Sequence, residues 1–233
     1  MVVRLLACTP DPEDVVAAAA QLCYSSSSIE QLLEKGRPKK EALLKKILSA
    51  GHFSVLEHAN FTFGVEGISR ACSHQLVRHR LASFSQQSQR YVSSADRFGV
   101  VVPESIAALG ELKDRFDAFI RAACALYEEL RSAGIPAEDA RFVLPNAVGT
   151  KLVVTMNARE LHHFFRLRCC LRAQWEIRAV AREMLRLARK AAPLLFAAAG
   201  PPCLYSPCPE GAMSCGRMDE VRRDYSALQQ TDG

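Results

Sequence analysis

Residues 78–92 read RHRLASFSQQSQRYV, with three arginines and a histidine among serines and glutamines and no acidic residue. Guanidinium groups present fixed forks of donors to phosphate or carboxylate, while hydroxyl and amide groups complement the edges of a heterocycle. Because Arg78, His79 and Arg80 are consecutive, their side chains splay apart and suit an extended polyanion better than one small group. The stretch predicts a site for phosphorylated heterocycles, and a solvated basic surface is the alternative.

The surrounding sequence is also poor in acids. No Asp or Glu lies between Glu66 and Asp96, and between Arg141 and Arg172 the only acid is Glu160. The arginines of these two windows lack local partners of opposite charge, which favours an anionic ligand.

Composition indicates one folded domain and no membrane span. The chain has 233 residues, is 49% hydrophobic and 24% charged, and carries a net charge of +5. Its longest apolar runs are too short to cross a bilayer, and its first residues lack the features of a signal peptide. We therefore expect a soluble, cytoplasmic protein. The nine cysteines are an odd number and read as reduced thiols rather than a secreted disulfide framework.

Periodicity predicts an α+β fold, a single mixed domain in which long helices pack on a β-sheet. Residues 2–9, 61–65 and 150–156 have the pattern of strands. Amphipathic helices are expected near residues 11–24, 38–50, 68–81, 104–132, 157–167 and 173–199. A short strand is expected at 100–103, a short helix at Arg141, and an irregular tail rich in Pro, Gly and Cys after Gly200.

A spaced motif carries a family resemblance. Arg78-His79-Arg80, then seven residues and Ser88, followed by Gln89-Arg90-Tyr91, resembles the signature of flavin-dependent thymidylate synthases. Supporting segments appear in the same order and spacing: CYSS at 23, GHFSVLEHANFTF at 51, ARFVLPN at 140, NARELHHFFRLR at 157 and AQWEIR at 173. The resemblance implies a domain of that fold over residues 1–200 and an extension over 201–233.

The resemblance also implies the reaction. Members of this family methylate dUMP to dTMP, taking the carbon from methylenetetrahydrofolate and electrons from NADPH through FAD, in a homotetramer with active sites at subunit interfaces. Nucleic acid and membranes are not expected partners. No GxGxxG dinucleotide motif is present, so we expect NADPH to use the flavin and folate pocket.

Carried over by position, the resemblance assigns the site residues. Those expected at the flavin are Ser54, Glu57, Arg78, His79, Arg80, Leu81, Asn157, Arg159 and His163. Those expected at the nucleotide are Gln75, Gln86, Ser88, Gln89, Arg90, Arg141 and Arg168. Without the resemblance, Ser54, Glu57 and Asn157 would be interpreted as helix caps and His163 as a core histidine.

Three residues are expected to take part in the chemistry. Arg168 is expected to face the pyrimidine, where a fixed cation favours electron density on the ring, although it could instead pair with Glu176. Ser88 is expected to position or polarise dUMP rather than attack it, since no general base is evident beside it. His52 is the histidine assigned to proton handling; His58 and His79 are the alternatives.

The cysteines raise a separate hypothesis. Cys203, Cys208 and Cys215 of the tail, with Cys169 or Cys170, could form a four-cysteine site for zinc or an iron–sulfur cluster. The spacing contains no CxxC pair, and free thiols or a redox disulfide are the alternatives. A nucleophilic thiol at 169 or 170 is also conceivable.

Two rival functions stay open. A basic nucleic-acid-binding module would need aromatic residues interleaved with its arginines, and the first window offers only Phe84 and Tyr91. A flavin reductase without nucleotide chemistry would leave Ser88, Arg90, Arg141 and Arg168 without a role.

Overall fold

The structure is a computed structural model that describes residues 1–33, 37–92 and 99–230. Its sheet contains strands β1 (Val2–Cys8), β2 (Asn60–Ser69), β3 (Ala82–Gln86) and β4 (Gly149–Asn157), in the order β1-β2-β4-β3. Alternate side chains of β2 and β4 are buried, as the apolar alternation of these segments predicts. The mixed α+β class is therefore confirmed.

Helices make up most of the remaining regular structure. Those preceding β4 are α1 (Pro12–Leu22), α2 (Ile29–Leu33), α3 (Arg37–Ser49), α4 (Arg70–Leu76), α5 (Glu104–Ala107), α6 (Glu111–Ser132) and α7 (Ala137–Ala140). Those following it are α8 (Ala158–Arg168), α9 (Trp175–Ala191), α10 (Pro193–Phe196) and α11 (Met218–Gln230). Short 3₁₀ turns cover Phe53–His58, Arg141–Val143, Pro202–Leu204 and Gly211–Met213. None of the described helices is long and apolar enough to span a membrane.

The chain divides into two compact units. The first comprises residues 1–2, 65–78 and 84–153, and the second comprises residues 3–64, 79–83 and 154–233. In the first unit the buried ring of Tyr127 on α6 packs with Ala140 of α7. In the second, the rings of Phe61 and Phe165 pack edge-on against Phe196, with centroids 5.2 and 6.0 Å apart. The tail belongs to the second unit, and the boundary at residue 200 stays a prediction.

Several predicted helices begin or end elsewhere. The helix expected from residue 68 starts at Arg70, because β2 continues to Ser69 and the Ser69 hydroxyl caps α4 by accepting from the amide of Cys72 at 3.0 Å. The helix expected over 104–132 is interrupted before α6 at Gly110, which has a φ of 47°. The helix expected over 173–199 ends before Pro193, whose ring cannot continue it.

Two further expectations are wrong. Residues 100–103 form no strand; Val100 makes an isolated antiparallel bridge to Val148. The tail is not irregular, because it contains α11, which buries Val221 and Tyr225 on one face at helical spacing. Residues 231–233 lie outside the described residues.

Candidate active site

In the second unit, hydrogen bonds connect three polar side chains, two of them buried and one partly buried. Nδ1 of His79 lies 3.1 Å from a carboxylate oxygen of Glu160, and Nε of Arg168 donates to Nε2 of His79 at 3.0 Å. Since Nε2 accepts, the ring proton sits on Nδ1 and is donated to Glu160. His79 and Glu160 are each only 5% exposed, so this chain fixes the orientation of Arg168 at the end of α8.

Local sequence explains how α8 presents these groups. The Asn157 side chain accepts from the amide of Glu160 at 2.9 Å and caps the helix. That cap places Glu160 in the first turn and Arg168 in the last turn of the same helix. The expected cofactor contact Asn157 thus has a structural role as a helix cap.

Burial sets the charge states of this chain. The pKa of His79 is lowered from 6.5 to about 4, chiefly by burial and then by the neighbouring Arg168 and His163. Burial raises the pKa of Glu160, while His163 opposes that rise. At neutral pH His79 is therefore a neutral imidazole that accepts from a fixed guanidinium.

Several residues expected at the flavin belong to the second unit. Ser54 and Glu57 are exposed on the 3₁₀ turn Phe53–His58, and His52, which is expected to handle a proton, is exposed beside it. The Glu57 carboxylate forms an ion pair with Arg159, and both are about half exposed. The ring of His163 lies edge-on to His79, with centroids 5.9 Å apart.

A cavity of about 420 Å³ adjoins these residues. Its lining includes Phe53, Arg159, His162, His163 and Arg166. The rings of Phe53 and His162 stack with centroids 5.6 Å apart. Cationic and aromatic side chains thus line the same space, which suits a ligand with both phosphate and ring systems.

The remaining predicted flavin residues differ in exposure. Arg78, in the first unit, and Arg80 and Leu81, in the second, are exposed, and Leu81 is 74% exposed. His79, which lies between the two arginines, is buried. In the RHR triplet, the two arginines are therefore exposed and the histidine between them is buried.

In the first unit, β3 and the residues after it place the predicted nucleotide contacts. The Gln86 amide nitrogen donates to the hydroxyls of Ser73 and Thr150 at 2.9 and 3.2 Å. The Ser88 hydroxyl accepts from the amide of Arg90 at 3.1 Å and stabilises the turn. Gln75 on α4 donates to the carbonyl of Ala71, and Gln89 is partly exposed in the same turn as Ser88.

Two of the arginines expected at the nucleotide converge on one residue. Arg90 forms an ion pair with the Glu138 carboxylate at 2.6 Å, and Nε of Arg141 donates to the Glu138 carbonyl at 3.0 Å. Arg70 lies near enough to Arg141 that burial, and then this like charge, lower its pKa. Three guanidinium groups therefore lie in this part of the first unit.

Comparison with known proteins identifies the family. The family model described as "Thymidylate synthase complementing protein" matches residues 4–194. A flavin-dependent thymidylate synthase of Geobacter sulfurreducens is 60% identical over 230 residues, 98% of this chain and 99% of that protein. One of Clostridium tetani is 46% identical, over 96% of both chains. The chain belongs to the flavin-dependent thymidylate synthase family.

A solved structure agrees with this family assignment. The UMP/dUMP methylase PolB from Streptomyces cacaoi, bound with 5-Br dUMP, matches with a TM-score of 0.72 and 25% identity, covering 84% of this chain and 93% of that one. The family fold expected from the RHR motif is thus confirmed.

Sequence reasoning missed several residues that organise the site of this family member. In the sequence Glu160 stands out only as the lone acid of its window, although its position three residues after Asn157 is that of a capping box. Arg70 is expected only as one of the arginines of the first acid-poor window, and nothing in the sequence points to Glu138. No local pattern pairs Glu138 with Arg90, because the two lie on different elements that only the fold brings together.

The cysteines of this family member separate into different environments. Cys169 is 1% exposed, and burial raises the pKa of its thiol to about 12, so a nucleophilic thiolate there is disfavoured at neutral pH. Cys170, and not Cys169, lines a cavity with Cys203, Cys208 and Cys215 of the tail.

Proposed function

We propose that this chain methylates dUMP to dTMP, with methylenetetrahydrofolate as carbon donor and NADPH-reduced FAD as hydride source. The near full-length similarity to flavin-dependent thymidylate synthases supports the proposal. The methylase that matches the fold was solved with a dUMP analogue, which supports the substrate class.

The observation that carries the proposal is the fixed guanidinium of Arg168. Its Nε is held by the imidazole of His79, which is held in turn by Glu160. A preoriented cation stabilises charge that builds up on a pyrimidine ring without having to reorganise during the reaction. Because His79 is neutral, the positive charge of these three hydrogen-bonded side chains stays on Arg168.

The arginines of the first unit are proposed to bind the nucleotide phosphate. Arg90 and Arg141 already contact oxygen atoms of Glu138, and a phosphate offers them further acceptors of higher charge. Ser88 follows β3 in the same unit and is proposed to position the base. The proposal requires this set and Arg168 to serve one substrate, which the family arrangement of sites shared between subunits would allow.

The donor set of the second unit fits a flavin. Arg159 and His163 line a cavity with the aromatic Phe53, and cationic donors beside a ring are the groups that a flavin diphosphate and isoalloxazine require. We assign Ser54, Glu57, Arg78, Arg80 and Leu81 to the same cofactor by position. When bound, the flavin supplies the hydride transfer that no side chain of the protein can perform.

Further parts of the proposal follow from the family. NADPH and methylenetetrahydrofolate are the proposed co-substrates, His52 the group that handles a proton, and a cytoplasmic homotetramer the working form.

The test is dTMP formation from dUMP, methylenetetrahydrofolate, FAD and NADPH. We expect Arg78→Ala to lose bound flavin, and Arg168→Ala to keep flavin but lose dTMP formation. Arg121→Ala, at an exposed position of α6, is the matched control and should retain both. Full activity of the Arg78 and Arg168 variants would contradict the site assignment.

The same experiment separates the rival functions. A flavin reductase would oxidise NADPH without releasing tritium from position 5 of labelled dUMP. A nucleic-acid-binding module would stay colourless after incubation with FAD and would shift RNA in a salt-dependent manner. We expect tritium release that depends on dUMP and folate together.

A further inference from the structure

The imidazole of His162, on α8, stacks with two aromatic rings of the second unit. Its centroid lies 5.6 Å from that of Phe53, with the planes 18° apart, and 5.4 Å from that of Phe196, with the planes 21° apart. Nε2 of the same ring donates to the carbonyl oxygen of Leu195 at 2.9 Å. Three contacts therefore fix both the position and the plane of an imidazole that has no role in the proposed reaction.

Phe196 is firmly held in the core of this unit. Its side chain is fully buried, and its ring also packs edge-on against Phe61 and Phe165. Nε of Arg189, which is only 6% exposed, donates to the carbonyl of Phe196 at 3.3 Å. Because a close-packed core leaves its side chains little freedom to move, the contacts with α10 anchor His162 to a rigid part of the fold.

Phe53, the other partner of this ring, begins the 3₁₀ turn that carries Ser54 and Glu57, two residues assigned to the flavin. Phe53 is partly buried, whereas Ser54 and Glu57 are exposed. Exposed binding groups keep an accurate position only when packed neighbours lock the segment that carries them. The packing of Phe53 therefore affects the position of both flavin residues.

Other contacts hold the rest of this turn. The side chain of Leu56 is fully buried, and the carbonyl of Ala59, just after the turn, accepts from the amide of Ala158 at 2.8 Å. The Glu57 carboxylate pairs with Arg159, but both side chains are about half exposed, and such a pair contributes little. These contacts secure the middle and the end of the turn, while the aromatic stack holds the side chain at its start.

The charge state of His162 suits this packing. Burial lowers the pKa of its imidazole, and the hydrogen bond to the carbonyl of Leu195 opposes that shift. A neutral imidazole can stack on a phenyl ring without the cost of burying a charge.

Phe53 and His162 also line the cavity of about 420 Å³ that contains Arg159, so their stack forms part of the wall expected to contact the flavin. We propose that His162 is a positioning residue, which holds Phe53 against α8 and thereby fixes the flavin-binding turn. This inference rests on the proposed function, because it concerns how the same site binds its cofactor.

Three variants of the full-length chain test the proposal. His162→Leu removes both the stack and the hydrogen bond. His162→Phe keeps a ring that can stack on Phe53 and removes only the hydrogen bond. Phe165→Leu is the matched control, because Phe165 lies on the same helix and its ring contacts are with Phe164 and Phe196.

The readout is the dissociation constant of FAD. Each protein is equilibrated with FAD, and free flavin is measured by its absorbance after ultrafiltration. We expect His162→Leu to raise the dissociation constant at least about tenfold, because the turn must then be ordered on binding. His162→Phe and Phe165→Leu should stay within about threefold of the wild type, since the turn keeps its packing. The melting temperature of all three variants should fall.

Two comparisons could overturn the positioning role. Equal weakening of FAD binding by His162→Leu and Phe165→Leu would show a general loss of core packing, and an unchanged constant in His162→Leu would show no role at all. A His162→Phe variant that binds FAD as poorly as His162→Leu would mean that a polar atom of the imidazole contacts the flavin directly. A wild-type chain that binds no FAD would overturn the proposed function as well, whereas the other outcomes leave it untouched.

Discussion

Nε of Arg168 lies 3.0 Å from Nε2 of His79, a residue 89 positions earlier in the chain. This hydrogen bond links the end of α8 to the histidine of the RHR motif. Since His79 also donates to Glu160, one buried carboxylate governs the position of the guanidinium that we assign to the pyrimidine.

Removing the carboxylate should loosen this arrangement. Glu160→Ala leaves the buried Nδ1–H of His79 without its acceptor, which costs about 1–3 kcal/mol of unfolding free energy. Glu160→Gln keeps an acceptor oxygen and should recover most of that stability and of kcat. Urea unfolding and steady-state kinetics measure both effects. Glu183→Gln, which alters a partly exposed pair with Arg186 within α9, is the control and should change stability by less than about 1 kcal/mol. Equal stability of the Glu160→Ala and control variants would show that the hydrogen bond between His79 and Glu160 does not contribute to the stability of the fold.

Acid should destabilise the protein through His79. Its pKa is about 4 in the folded state and 6.5 ordinarily, so the unfolded chain binds this proton first as pH falls. The free energy of unfolding contributed by His79 is therefore fully present above pH 6.5, and it falls by up to about 3 kcal/mol as the pH is lowered from 6.5 to 4. His163 and Arg168 face the ring and oppose its protonation. The pKa of Glu160 is raised, so protonation of this carboxyl favours the folded state as the pH falls and partly offsets the effect of His79. Unfolding free energies of the wild type and His79→Gln across this range isolate the effect. The variant should show the smaller slope, and identical slopes would contradict the assignment.

The Arg90–Glu138 pair should affect nucleotide affinity more than stability. Both side chains are about half exposed, so breaking the pair should cost less than about 1 kcal/mol of stability. Arg90→Ala should raise the KM for dUMP at least about tenfold, because a charge-assisted contact to phosphate is lost. Glu138→Gln should lower that KM, since it removes a competing carboxylate. A KM unchanged in both variants would place the phosphate elsewhere.

Cys169 should be inert in the native protein. Burial raises the pKa of its thiol to about 12, and it is 1% exposed. Iodoacetamide at pH 8 should modify the exposed Cys8 and Cys23 and reach Cys169 only after unfolding. Peptide mass spectrometry measures each site. Rapid native modification of Cys169, prevented by dUMP, would instead favour a nucleophilic role.

Local patterns were sufficient for much of the fold. Alternation at Phe61, Phe63 and Val65 predicted β2, and the capping position of Asn157 predicted where α8 begins. They failed where an element depends on its neighbours. Ile68 and Ser69 have helical spacing with α4 but belong to β2, since strand pairing outweighs local preference there.

The sequence predicted residues of the candidate site, but not the hydrogen bonds and ion pairs that join them. The motif led to His79 and Arg168, yet nothing local indicated that one accepts a hydrogen bond from the other. The lack of nearby acids suggested that Arg90 was unpaired, but Glu138 reaches it from a different element. Partners far apart in sequence are set by tertiary structure, which spacing and composition do not encode.

The most direct test is the ratio of dTMP formed to flavin oxidised in a single turnover. Protein carrying reduced FAD is mixed with dUMP and methylenetetrahydrofolate without oxygen, and flavin absorbance and quenched dTMP are followed together. We expect one dTMP per flavin oxidised in the wild type, and neither product nor flavin oxidation in Arg168→Ala. Flavin oxidation without dTMP in the wild type, or normal turnover in Arg168→Ala, would contradict the proposed function.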